Sequence, residues 1–280
     1  MTGKAYAAGT VLNALATGIG CAFGIDLMIK VKFKPDSENI LIVNGEERDA
    51  NIVEKILSNF EKKGCVIIKS EIPERSGLGS SSAFINALLS EILEEEERRW
   101  AHKRLRLNAE LSLKAGISYT GAFDDASASL LGGFVVSDNY RMALYDWFIE
   151  RMYAAILIPE FKRGLVDWER IKKEGKKLEK ILAKLKEHKF CEVMKENTKF
   201  YCEMIGYPLE IAERVWKEEI CCGLSGNGPA FVALGSKSDA ATAKAMWEDY
   251  GKVKIQRIPQ KPAESVSITP ELFIPNFQIR

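Results

Sequence analysis

Apolar residues fill positions 5–29 with few interruptions: Asn13, Thr17 and Asp26, and glycines at 9, 18, 20 and 24. An apolar run broken by glycines predicts a buried strand, a glycine-rich loop and a second strand. The polar breaks come too often for a membrane span, and no basic cluster precedes the run. At 27–33 the pattern alternates, with Ile29, Val31 and Phe33 set against Lys30 and Lys32, which predicts a strand with one wet face. Residues 40–43 predict another strand, leading into Asn44-Gly45, a hairpin turn signal. Helical spacing follows at 50–60, a strand at 65–68 and one long helix at 81–100 ending in the charge run 94–99. A helix at 105–115, a loop of small residues at 116–125, a helix at 126–131 and a strand at 134–137 come next. Residues 140–147 read as a connection.

The second half predicts a strand at 153–158 ended by Pro159, a charged helical region at 167–189, and helices at 191–205 and 209–219. A strand at 231–234, a helix at 239–250 and a strand at 253–258 complete the pattern. Strands and helices are interspersed without regular βαβ alternation, which favours a two-layer α+β protein over a doubly wound sheet. A domain boundary is expected near residue 150, dividing 1–150 from 151–280.

Composition narrows the function classes. Forty basic residues against 39 acidic ones, in 280, leave no basic excess for nucleic acid. The charge run 94–99 reads as a solvated face. Six cysteines without a Cys-x-x-Cys pair, and only two histidines, argue against a zinc cluster. They read as buried thiols in a reducing compartment. The expectation is a soluble, cytoplasmic protein without a nucleic-acid or membrane partner. Oligomeric state is not encoded in any visible pattern.

Candidate chemistry lies in residues 73–83, Pro-Glu-Arg-Ser-Gly-Leu-Gly-Ser-Ser-Ser-Ala. A glycine-rich turn opening a helix presents unpaired backbone N–H groups and the positive end of the helix dipole, which suits phosphate. Serine hydroxyls add donors and an oxygen ligand for Mg²⁺. A plain turn with a serine N-cap is the competing reading. No Gly-Lys-Ser or Gly-Lys-Thr follows, so this is not a Walker A loop. Three further segments place small residues beside a polar group: 7–13, 120–126 and 223–230.

Together these segments resemble the GHMP-type small-molecule kinases. Pro73, Gly77, Leu78, Gly79, Ser80, Ser81 and Ala83 match the phosphate-loop pattern Pro-x-x-x-Gly-Leu-Gly-Ser-Ser-x-Ala. Ser225-Gly226-x-Gly228-Pro229 matches the C-terminal glycine motif, and Gly121-x-x-Asp124 the segment that carries an aspartate in some branches. Asn13-Ala14, Ala16-Thr17-Gly18 and Gly24-Ile25-Asp26, with 120–126 leading into Gly132-Gly133, are most similar to the archaeal shikimate kinase branch. Two departures stand out. Thr10 occupies a place where several relatives carry Lys or Arg, and Asn227 replaces a smaller residue.

The resemblance implies an N-terminal α+β domain with a left-handed βαβ crossover and a ferredoxin-like C-terminal domain. ATP and Mg²⁺ would sit between them. It implies triphosphate binding by Pro73, Glu74, Arg75, Ser76, Gly77, Leu78, Gly79, Ser80, Ser81, Ser82 and Ala83, with Gly226 and Gly228. Ser81 or Ser82 would hold Mg²⁺ through a hydroxyl. Glu110 is its carboxylate ligand or else a solvated helix residue. Asp124 would take the substrate hydroxyl proton, with Asp125 its competitor for that role. Asn13, Thr17, Asp26 and Asp125 would meet substrate hydroxyls. A substrate carboxylate would need an Arg or Lys, with Arg75, Arg141, Arg163 and Lys4 as candidates. The implied reaction is phosphorylation of the shikimate 3-hydroxyl. Kinases of homoserine or mevalonate type, or a non-catalytic ligand-binding relative, are the alternatives.

Overall fold

In the computed structural model, which describes residues 2–275, the alternating stretch at 27–33 is the end of a much longer strand. Strand β2 (Ile19–Pro35) pairs antiparallel with β1 (Gly3–Leu12) along most of its length. Asp26 and Leu27 form an irregularity between the pairs Tyr6↔Met28 and Ala7↔Ile25. The first half of β2 is buried throughout, which explains its unbroken apolar pattern; beyond it Ile29 and Val31 are buried while Lys30 and Lys32 are exposed.

Strands β3 (Ile40–Val43) and β4 (Glu46–Arg48) form the expected hairpin. Its two turn residues, Asn44 and Gly45, both have positive φ (52° and 91°), as a type I′ turn requires. Helix α1 (Asn51–Leu57) crosses to β5 (Gly64–Ser70), which runs parallel to β3 and antiparallel to β2. Strands β6 (Phe134–Asp138) and β7 (Ala143–Phe148) complete a seven-stranded sheet in the order β4-β3-β5-β2-β6-β7, with β1 against β2. Residues read as a connection at 140–147 are thus largely an edge strand, which a mixed apolar and polar pattern conceals.

Helices α2 (Ser80–Ile92), α4 (Ala101–Lys114) and α5 (Phe123–Leu131) pack on one another, and α2 and α5 pack on β1 and β2. The single helix expected over 81–100 is broken. Leu93 is extended (ψ 148°), a four-residue helix α3 (Glu95–Arg98) follows, and Trp100 is extended again before α4. Residues 259–275 return to this first sheet, with bridges Trp100↔Ser267 and Leu144↔Phe273.

The second sheet holds β8 (Tyr153–Pro159), β9 (Cys221–Leu224), β10 (Phe231–Gly235) and β11 (Gly251–Arg257), in the order β11-β8-β10-β9, all antiparallel. That is the strand order of a ferredoxin-like sheet. Helices α6 (Trp168–Glu174), α7 (Glu179–Lys186), α8 (Phe190–Ile205) and α9 (Glu210–Trp216) lie between β8 and β9, and α10 (Lys237–Trp247) between β10 and β11. The charged region 167–189 is therefore two helices joined by a 3₁₀ turn at Gly175–Leu178. The chain passes from the first sheet to the second between Phe148 and Tyr153; the outermost residues of the two ranges, 1 and 276–280, lie outside those described.

The cysteine reading needs correction. Cys191 and Cys221 form a disulfide, because the start of α8 and the start of β9 bring their Cα atoms within 4.9 Å. Cys21, Cys65, Cys202 and Cys222 are free thiols; burial pushes the Cys202 thiol up to about 12.

Candidate active site

The serine loop and the C-terminal glycine motif, joined by residues 148 apart in sequence, are built as one unit. Ser225 Oγ donates to the Gly77 carbonyl at 2.9 Å, and the Ala230 N–H donates to the Ser76 carbonyl at 3.0 Å. The Ala8 N–H from β1 donates to the Leu78 carbonyl at 3.0 Å. Gly77 has φ +84°, and a Cβ there would run into the Ser225 carbonyl, so only glycine fits. Gly79, also left-handed at φ +65°, caps α2 without any side-chain hydrogen bond. The first intrahelical bond runs from the Ala83 N–H to the Gly79 carbonyl. The N–H groups of Ser80, Ser81 and Ser82 precede it and are free to meet an anion.

These groups open into a cavity of about 480 Å³. Arg75, Gly77, Leu78, Gly79, Ser80, Ser81 and Ser82 line one side, Gly226 and Asn227 another, and Asp124 and Asp125 at the start of α5 a third. Thr10 lies at the base: it is buried, and its Oγ1 accepts the Gly226 N–H at 2.8 Å. Thr10 thus ties β1 to the glycine motif.

Asp124 is buried and held from two directions by Asn139. The Asn139 amide donates to Asp124 Oδ1 at 2.8 Å, and Asn139 Oδ1 accepts the Asp124 backbone N–H at 3.1 Å. Asn139 is itself fixed by Ser137 Oγ at 2.7 Å and by its backbone bond to the Gly18 carbonyl. Gly20 makes room for the carboxylate, because a Cβ there would meet Asp124 Oδ2. Burial pushes the Asp124 carboxyl above its ordinary range, opposed by the Asn139 hydrogen bond. Asp125 is half-buried and lies against Gly79, with its carboxyl carbon 3.5 Å from where a Gly79 Cβ would stand. Burial, then the charge of Asp124, pushes it well above the usual carboxylate range. Among the described residues neither aspartate has an ion-pair partner.

The rim comes from two loops. Tyr119, from the loop after α4, stacks on Trp168 at the start of α6, with ring centroids 5.2 Å apart and planes 3° from parallel. Arg163, Gly164, Leu165 and Val166 face them, and Leu165 is 92% exposed. Of the four cations considered from sequence, only Arg75 and Arg163 line this cavity. Arg141 stands 3.6 Å from Asp138, and Lys4 lies at a different surface.

Several expected residues are placed elsewhere. Glu110 is exposed on α4 and does not line the cavity; Ser112, two residues on, does, because the helix turns the two to different faces. Asp26 is exposed at the β1–β2 irregularity, away from the cavity. Thr17 lines a neighbouring depression, and its hydroxyl is engaged by Ile19. Asn13 reaches the cavity, but its amide bridges Asn227 Oδ1 at 2.9 Å and the Leu15 N–H. Pro73, Glu74, Ser76, Ala83 and Gly228 shape the loops without lining the cavity: Ala83 is in the core, Ser76 Oγ bonds the Pro73 carbonyl, and Gly228 packs against Tyr207. Asn139, Tyr119 and the residues that follow Arg163, Gly164, Leu165 and Val166, are the site residues that sequence reasoning did not single out. Only the Asp138-Asn139 turn signal after β6 hinted at the first. Among the described residues no cluster of three His, Cys, Asp or Glu is placed to hold a metal ion.

A glycine-capped helix start with free N–H groups faces a clamped carboxylate across the cavity, on this pair of sheets. Residues 50–133 match the family model described as the GHMP kinases N-terminal domain. The chain belongs to the GHMP kinases, and it is an enzyme of that class. Its relatives include the shikimate kinase of Archaeoglobus fulgidus, 51% identical over 98% of both chains. The shikimate kinase of Methanothrix thermoacetophila is 35% identical over 88% of this chain and 89% of its own. Among solved structures, the Methanococcus jannaschii mevalonate kinase superposes with a TM-score of 0.66, covering 93% of this chain and 98% of that one at 15% identity. That likeness speaks for the fold. No helix among the described residues is long and apolar enough to cross a membrane.

Proposed function

We propose that the chain is a shikimate kinase, transferring the γ-phosphoryl group of ATP to the 3-hydroxyl of shikimate. The observation that carries this reading is the 51% identity, over nearly the whole length, to a protein of that name. The cavity is suited to the chemistry. The N–H groups of Ser80, Ser81 and Ser82, with Gly77, Gly79 and Gly226 allowing close approach, hold the triphosphate. Arg75 and Arg163 supply the guanidinium forks that a substrate carboxylate needs.

Asp124 accepts the hydroxyl proton as the new O–P bond forms, and Asn139 keeps its carboxylate aimed. A raised carboxyl is a better proton acceptor than a surface one, provided it is ionised at the working pH. Mg²⁺ fits the residues present: two adjacent carboxylates without a cationic partner lie beside serine hydroxyls. Asp125 and a hydroxyl of Ser81 or Ser82 would hold it, and it would neutralise phosphate charge. Asp125 thus takes the role that sequence reasoning gave Glu110.

The test is a coupled ADP-release assay with shikimate, homoserine and mevalonate side by side. Turnover with shikimate alone supports the reading. Turnover with homoserine or mevalonate instead, or none with any of them, overturns it.

A further inference from the structure

On the first sheet's flank, away from the active cavity, the returning C-terminal segment closes a second depression of about 580 Å³. The Ala101 N–H donates to the Ser267 carbonyl at 3.0 Å, and the Ser267 N–H to the Arg99 carbonyl at 2.7 Å, fastening segment 263–267 across α3 and α4. Four cations line it, Lys4, Arg98, Arg99 and Arg104, against two carboxylates, Glu95 and Glu264. Glu264 is already committed. Its Oε2 accepts Ser90 Oγ at 2.6 Å and Arg104 Nη2 at 2.7 Å, and its Oε1 accepts the Lys4 backbone N–H at 2.6 Å. The lining itself therefore carries two more cations than carboxylates; Arg98 also donates to the Ser90 carbonyl at 3.2 Å and Arg99 lies over the Trp100 ring.

Arg104 stands at the back of the lining. Its side chain is 1% exposed, yet among the described residues its Nε has no hydrogen-bond partner. That atom is closed off from solvent, so Arg104 adds positive charge behind the depression and not a donor to an occupant. Arg98 adds to the imbalance, its like charge acting on Arg104.

The same arginine is linked to the active cavity through buried polar groups. Arg104 Nη2 donates to the Asn86 carbonyl at 2.6 Å. The Asn86 amide donates to the Ala126 carbonyl at 2.8 Å, one residue past Asp125. Asn108 bridges Asn86 Oδ1 at 2.8 Å and the Ser82 carbonyl at 2.9 Å. Ser82 belongs to the phosphate-binding helix start.

We propose that the depression is a second ligand site, for a small anion bearing a carboxylate or a phosphate, and that its occupancy is felt at the phosphate loop. The anion sits among Arg98, Arg99 and Lys4, and the buried chain through Asn86 and Asn108 carries the response.

The experiment is isothermal titration of inorganic phosphate and, separately, malonate. The active cavity is filled beforehand with a saturating non-hydrolysable ATP analogue and Mg²⁺. The comparison protein is Arg98→Gln/Arg99→Gln, two substitutions on the rim, outside the catalytic machinery. Saturable binding of one probe to the wild type is expected, weakened ~10- to 100-fold in the variant by loss of charge-assisted hydrogen bonds. The probe that binds names the anion class. No binding of either probe, or equal binding to both proteins, overturns the site. In a second arm, the bound probe should change the KM for ATP of the wild type and leave that of the variant unchanged. Binding with identical kinetics overturns the coupling. The titration needs no turnover, so it is judged separately from the kinase assay.

Discussion

Removing the Asn139 side chain tests whether Asp124 is the proton acceptor. In Asn139→Ala, Asp124 Oδ1 loses its 2.8 Å donor, and the Asp124 backbone N–H and Ser137 Oγ lose their acceptor. A hydrogen bond to a charged group contributes about 1.5–3 kcal/mol. At 1.36 kcal/mol per pKa unit, its loss raises the Asp124 carboxyl by about 1–2 units beyond the elevation burial already imposes. On the proposed mechanism the ionised form is the active one, so the acid limb of the kcat/KM profile should move to higher pH by that amount. Two buried polar groups left unpaired should also cost ~2–4 kcal/mol of stability. The assay is steady-state kinetics from acid to alkaline pH at saturating Mg²⁺, with circular dichroism confirming a folded variant at each pH. A folded variant whose acid limb coincides with that of the wild type would falsify the clamp. Asn139→Asp places a third carboxylate against the pair and should shift the limb further in the same direction.

Further expectations concern the acidic groups and the disulfide. Asp124→Asn should lower kcat ~10²- to 10⁴-fold with little change in the KM for ATP, as loss of a general base does. Asp125→Asn should shift the Mg²⁺ dependence to higher concentration, and Glu110→Ala should leave that titration unchanged; the reverse pattern would restore Glu110 to the site. Both aspartates are raised in the folded state, so the folded chain holds their protons more tightly than the unfolded one. They favour folding below the unfolded value of about 3.9, and this contribution is lost as pH rises through the folded values. Asp125→Asn should therefore be more stable than the wild type near neutral pH in urea denaturation, an advantage that shrinks toward pH 4. Cys191→Ser opens a loop closed across 30 residues, a change of about 3–4 kcal/mol on chain-entropy grounds. Its urea midpoint should fall while kcat at 25 °C stays put, and reducing agent should do the same to the wild type alone.

The sequence by itself determined the elements whose burial is one-sided or complete, and the loops whose chemistry is local. Apolar continuity marked β1 and the start of β2, alternation marked the end of β2, and Asn44-Gly45 marked the hairpin. Gly77, Gly79 and the serines marked a glycine-led helix start, because positive φ and free N–H groups depend on neighbours in the chain. Long-range placement was not legible. Glu110 and Ser112 look equally able to reach the site until the packing of α4 turns one outward and the other in. Asp26 shares the first motif with Asn13, yet the β1–β2 irregularity leaves it on the surface. Leu93 and Trp100 carry no breaker chemistry, and the breaks there accompany α4's packing on α2 and α5 and the Ser267 contact beside Trp100. Asn139 became a site residue only when β6 ended beside the start of α5, and the Cys191–Cys221 pair only when α8 met β9. Each depends on which surfaces bury against which, a property of pairs of elements distant in sequence that no local pattern records.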